Sequence, residues 1–108
     1  MAKQISSHNE FIEKVKNAQY GVVIIFFNKD SDQQRIQKYE EILLNKYASV
    51  NCYKIDSDGN VLTDEERRQY VATNLICVTT KCKDSITCTQ NPNSKTLDSI
   101  IAPLLECK

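Results

Sequence analysis

The sequence predicts an α/β domain with a central mixed sheet of four to five strands, flanked by four helices and ending in a β-hairpin. Three observations predict it. Helical apolar patterns alternate with short β-branched runs along the chain. One run, Val22-Val23-Ile24-Ile25-Phe26-Phe27, is apolar at every position, as expected of a strand covered on both faces. The last two runs are separated only by Lys83-Asp84, a short polar turn that makes them a hairpin. At 108 residues the chain has the size of one domain, 1–108, with no linker, repeat or low-complexity stretch.

In order, residues 3–6 are a candidate edge strand. Ser7-His8-Asn9-Glu10 reads as a capping box, in which the hydroxyl and the acid satisfy each other's orphan amides; it opens a helix with Phe11, Ile12, Val15 and Ala18 on one face. After the apolar strand, Ser31-Asp32-Gln33-Gln34 reads as a second box opening a longer helix with Ile36, Tyr39, Leu43 and Tyr47 at helical spacing. Residues 50–55 form the next strand. Thr63-Asp64-Glu65-Glu66 is a third box, starting a short helix to about Val71. Residues 75–80 and 85–89 make the hairpin. The last helix starts near Asn93 or Ser94, buries Leu97, Ile100, Ile101, Leu104 and Leu105, and is kinked by Pro103, which lacks the amide that would bond to Ser99. Strands separated by helices imply parallel pairing, with the hairpin adding an antiparallel edge.

Charge narrows the partners. Fourteen basic and fourteen acidic residues cancel, and neither a basic excess nor a basic stripe is present, so neither nucleic acid nor anionic lipid is expected. The longest early apolar run is too short to span a bilayer and too far along the chain for a signal peptide, so no membrane partner and an intracellular address are expected.

The element order resembles the thioredoxin fold, and particular residues carry the resemblance further. Phe11 to Val15 followed by Val22–Phe27 is similar to the family's first helix and central strand. Lys46-Tyr47-Ala48 through Tyr53-Lys54-Ile55-Asp56 is similar to its next helix end and strand, and Tyr70-Val71-Ala72-Thr73-Asn74-Leu75 to the approach to its proline-bearing loop. The likeness covers nearly the whole chain and is more specific in layout than in sequence.

The resemblance also locates the family's catalytic parts. Its Cys-x-x-Cys pair corresponds to Ser31 and Gln34, the aromatic residue before it to Asp30, its buried proton-relaying acid to Ile25, and its cis-proline to Ile76. The family's chemistry needs a thiolate at a helix N-terminus and a second thiol to close a disulfide; a serine hydroxyl supplies neither. A cis bond before a non-proline residue costs ~3 kcal/mol, so the loop at Ile76 is expected to be trans. On this reading the chain is not an enzyme. The resemblance implies instead a groove holding an extended peptide, built from Asn28, Lys29, Asp30, Ser31, Asp32, Gln33, Thr73, Asn74 and Leu75. It implies a protein-binding adaptor or structural subunit of a larger assembly, on the pattern of axonemal dynein light chains, in a cytoplasmic or cytoskeletal setting that includes the cilium. Neither a cofactor nor a small-molecule ligand is expected. The alternative is a thiol-based redox or oxidant-sensing protein that uses a cysteine outside the motif position.

Five cysteines, Cys52, Cys77, Cys82, Cys88 and Cys107, are an odd number in an expected reducing compartment, so free thiols are favoured over a disulfide framework. Cys107, near a fraying terminus, is the first candidate for a reactive thiol and Cys77 the second; Cys52 and Cys77 also read as small core residues. A Cys82–Cys88 disulfide across the hairpin end is conceivable, although the two are not opposite each other if Lys83-Asp84 is the turn. The spacings of Cys77, Cys82 and Cys88 match no common zinc module, even with Cys107 or His8 added. Asp56, Asp58 and Asn60 resemble the start of a calcium loop, with Glu66 as its closing ligand. The glycine required at the sixth position is absent, the register is one residue short and a strand precedes the loop, so an Asp/Gly turn is preferred. His8, in the first turn of the first helix, reads as solvated.

Overall fold

The structure, a computed structural model, describes residues 2–72 and 75–107. Its elements are β1 (Lys3–Gln4), α1 (His8–Phe11) running into a π-helical turn (Ile12–Lys16), β2 (Val22–Phe27), α2 (Gln33–Lys46), β3 (Asn51–Asp56), α3 (Asp64–Tyr70), β4 (Cys77–Cys82), β5 (Ser85–Gln90), α4 (Ser94–Ile101) and a 3₁₀ turn (Ala102–Glu106). The five-stranded sheet has the order β1-β3-β2-β4-β5.

The apolar run occupies the centre of that sheet, and its side chains divide by parity between two cores. Val22, Ile24 and Phe26 meet Phe11, Val15, Ile55 and Tyr70 on the α1/α3 face. Val23 and Ile25 meet Ile36, Tyr39, Leu43, Leu97 and Ile101 on the α2/α4 face. A strand buried on both sides has no position left for a polar residue. Phe11 and Tyr70 meet edge to face at 5.1 Å, tying α1 to α3 across the first core.

Strands β1, β3 and β2 are parallel, but β4 runs antiparallel to β2, with Phe26 opposite Cys77. This corrects the expectation that every strand beyond a helix pairs in parallel. Phe27 lies opposite Asp56 at the end of β3, so β4 starts at the same edge of the sheet where β3 leaves it. Helix α3, seven residues and so about 10 Å long, crosses that end and does not return the chain along the ~20 Å strand.

The helix starts test the capping boxes. Thr63 and Glu66 form a reciprocal box. Ser7 accepts from the Glu10 amide, while the Glu10 carboxylate takes the Ser6 amide instead of that of Ser7. At α2 the cap is Asp32, whose carboxylate accepts from the Gln34 and Arg35 amides, and the Ser31 side chain turns inward. The last helix is capped by Asn93 and gives way to a 3₁₀ turn at Ala102, one residue before Pro103, as the missing amide requires.

Candidate functional site

Two places on the α1/α3 side of the sheet carry polar chemistry. The first is the loop joining β2 to α2, at the motif position. Asn28 donates its amide to Ser31 Oγ at 2.9 Å, and the Ser31 hydroxyl, itself buried, donates to the Leu75 carbonyl. A serine at the motif's first position thus ties the two loops of the expected groove together. Asn28 and Leu75 line a cavity of about 400 Å³ with Ser57, Asp58, Arg67, Val71 and Ala72. Lys29, Asp30, Asp32, Gln33 and Gln34 are exposed around the start of α2, and Ile25 and Ile76 are buried in the second core. Among the described residues no peptide bond is cis. Thr73 and Asn74, expected in the groove, lie outside the described residues.

The second place is a thiol cluster beneath the end of α3. Cys77 on β4 and Cys88 on β5 lie diagonally across the hairpin, because Cys88 pairs directly with Thr79. Cys77 is fully buried, whereas Cys88 is exposed. The Ala72 amide donates to Cys77 Sγ at 3.4 Å, and the Cys88 thiol donates to the Tyr70 carbonyl at 3.2 Å. The Thr79 hydroxyl spends its single proton on the same Tyr70 carbonyl, at 2.6 Å. Cys88 also has a single proton, so a charged Cys77 takes it only by drawing it off the Tyr70 carbonyl, and the Ala72 and Thr89 amides are its other donors. The hydrogen bond from Cys88, with these amides, brings the Cys77 thiol down to about 6 against the opposing effect of burial. The same bond, with burial, pushes Cys88 upward, so the pair holds one proton between two sulfurs.

The other cysteines fall differently from expectation. Cys107 is no exposed thiol: it is buried and forms a disulfide with Cys82, with 5.8 Å between Cα atoms. The pairing differs from the conceivable Cys82–Cys88 bridge because the 3₁₀ turn that contains Pro103 carries Cys107 back to the end of β4, while Cys88 faces α3. Cys82 packs on the opposite face from Cys77, so strand alternation keeps these cysteines from converging on one ion. Cys52 stays free and half-buried, and burial, with the nearby Glu40 charge, pushes its thiol up to about 12.

The calcium ligands do not assemble. The Asp56 carboxylate accepts from the Asp58 amide at 2.9 Å, and the Arg67 guanidinium donates to the carbonyls of Ser57 and Gly59, placing a cation on the loop. Glu66 points elsewhere, accepting from Lys16 at 2.8 Å, His8 at 3.0 Å and the Thr63 amide at 2.8 Å. Asn60 stays exposed in the turn. His8 is accordingly a half-buried partner of Glu66, not a solvated residue. Burial raises the Glu66 carboxyl, but Lys16, Thr63 and His8 together hold it at about 2.

The chain has a thioredoxin-like fold. It is similar in structure to thioredoxin O1 from Arabidopsis thaliana in its oxidized state (TM-score 0.73, 18% identity, 95% of this chain and 96% of that one). It is likewise similar to chloroplastic thioredoxin z (0.71, 15%, 96% and 94%) and to the Trx4 domain of ERdj5 (0.67, 19%, 96% and 92%). No family model and no curated protein sequence matches it. The expectation that the chain is not an enzyme, drawn from Ser31 and Gln34, is overturned. The protein carries a Cys82–Cys107 disulfide away from the motif position, and it shares its fold with thioredoxins, one of them solved in its oxidized state.

Proposed function

We propose that this thioredoxin-fold chain is a thiol-based redox protein whose reactive sulfur is Cys77, with Cys88 as its partner. The observation that supports this reading is the placement of the two thiols: Cys77 Sγ accepts the Ala72 amide at 3.4 Å, and Cys88 stands diagonally across the hairpin from it, at the Tyr70 carbonyl. A thiolate is the nucleophile in every exchange reaction, and lowering its pKa to about 6 keeps Cys77 charged at neutral pH. Cys82–Cys107 serves as the structural bond of the carboxyl-terminal turn. A protein partner enters this reading as the thiol donor that resets the pair after oxidation. The adaptor and axonemal light-chain readings rest on likeness of layout, and the thiol pair favours redox chemistry over them.

The test is exchange with oxidised glutathione at neutral pH, followed by acid quenching and peptide mapping. Modification at Cys77 or Cys88, or loss of both thiols, ahead of any change at Cys52 supports the reading. Modification of Cys52 first, or none at all, contradicts it.

A further inference from the structure

The bond that closes the carboxyl-terminal turn is not equally sheltered at its two ends. Cys107 is 7% exposed, whereas Cys82 is half-buried and lines a cavity of about 290 Å³ between the hairpin and α4. Cys107 is not among the walls of that cavity. Four hydroxyl residues are: Thr80 on β4, Ser85 and Thr87 on β5, and Ser99 on α4. The hairpin register accounts for the first three, because Cys82 pairs directly with Ser85 and Thr80 with Thr87, which puts all four side chains on one face of the sheet. Pro103 closes the cavity from the 3₁₀ turn. Among the described residues none that lines it is charged, so an incoming thiolate meets no carboxylate at the wall. The volume is at the small end of small-molecule sites, and hydroxyls can both donate to carboxylates and accept from amides.

We propose, independently of the Cys77 reading, that Cys82 is an exchange site for small peptide thiols of the glutathione type, and that Cys107 is the sulfur it releases. Exchange takes place at the disulfide sulfur that the attacking thiolate can reach. The glutathione thiolate attacks Cys82 Sγ and a mixed disulfide forms. The Cys82–Cys107 bond breaks, and its electron pair leaves on Cys107, which takes a proton from water. A second glutathione thiolate then attacks the glutathione sulfur of the mixed disulfide, giving oxidised glutathione and the Cys82 thiolate. Cys82 and Cys107 each gain one electron, and each glutathione loses one. The first step alone removes the covalent tie between the last turn and β4.

The experiment exposes the native full chain to excess reduced glutathione at mildly alkaline pH. Samples are quenched in acid at intervals, freed thiols are capped with N-ethylmaleimide, and the peptides are mapped by mass. The expected result is a glutathione adduct on Cys82 in chains whose Cys107 carries the maleimide, formed while the native circular dichroism persists. Adducts on Cys107, or adducts shared evenly between the two sulfurs as global unfolding would give, overturn the proposal. So does a bond that glutathione opens only in denaturant. Ser99→Tyr, at an exposed helix position, places a ring over the cavity and should slow formation of the Cys82 adduct severalfold with thermal unfolding unchanged; an undiminished rate overturns the cavity route. The unsubstituted chain gives the deciding result, so misfolding of the variant does not blunt the test. Reduced glutathione leaves free thiols unmodified, so this outcome is separate from that of the test at Cys77 and Cys88.

Discussion

Reducing the Cys82–Cys107 bond removes a crosslink between residues 25 apart in sequence. In the chain-entropy model, closing a loop of that length removes about 12 cal/mol/K from the unfolded ensemble, or about 3.5 kcal/mol at 25 °C. A domain of 108 residues unfolds with an entropy of about 230 cal/mol/K, so the loss corresponds to a fall in melting temperature of about 15 °C. The native contacts of the turn change little, since Leu104 remains in the second core. The assay is thermal unfolding by circular dichroism, with and without a strong reductant, repeated on the Cys82→Ser/Cys107→Ser double variant. The reduced protein and the double variant should agree. A melting temperature that moves by less than about 3 °C in both would refute the reasoning, because it would mean that the bond closes no loop in the unfolded chain.

Three further outcomes follow from named contacts. Glu66→Gln, which weakens the pairing with Lys16 and His8, should cost about 1–2 kcal/mol in denaturant unfolding, less than a fully buried pair because both cations are partly exposed. The folded Glu66 carboxyl lies below its usual 4.5, so its stabilisation is complete above pH 4.5 and is lost as pH falls towards about 2; the variant should lack this acid limb in its stability profile. Ser31→Ala should cost about 1–2 kcal/mol, since it removes the acceptor of the Asn28 amide and the link to Leu75, and should speed amide exchange at Asn28. Gly21→Ala would place a Cβ 3.0 Å from two Leu104 side-chain atoms and 3.2 Å from its carbonyl oxygen; the melting temperature should drop by an amount matching about 1–3 kcal/mol of overpacking.

Much of the fold was legible because single residues carried it. The all-apolar run announced a strand between two helical layers, Thr63 and Glu66 marked α3, and Pro103, read as a kink, marked the place where α4 gives way to a 3₁₀ turn. Local pattern said nothing about strand direction. Whether β4 runs with or against β2 depends on where α3 delivers the chain, which is a tertiary matter. The candidate site was half legible. A two-residue turn at Lys83-Asp84 places Cys88 opposite Thr79 and so diagonal to Cys77, a relation contained in the hairpin register. The closing of Cys107 onto Cys82 was not legible, because it depends on the path of the 3₁₀ turn. Nor was the approach of the Ala72 amide to Cys77, which depends on how the chain leaves α3. The calcium-like spacing misled for a related reason: Arg67, a full helical turn beyond Thr63, folds back onto the loop carbonyls.

The most direct test of the redox account is the pH dependence of Cys77 alkylation in the native protein, followed by peptide mass spectrometry with Cys52 as the internal comparison. At pH 7 a thiol with pKa about 6 is ~90% ionised, and one at about 12 is ionised to roughly one part in 10⁵. The lower intrinsic nucleophilicity of the more acidic thiolate offsets part of this, leaving an advantage of about a hundredfold for Cys77. The account predicts that Cys77 alkylation rises through a midpoint near 6 while Cys52 stays inert to alkaline pH. A Cys77 midpoint at or above the ordinary thiol value of 9, or alkylation of Cys52 at the same rate, would contradict it.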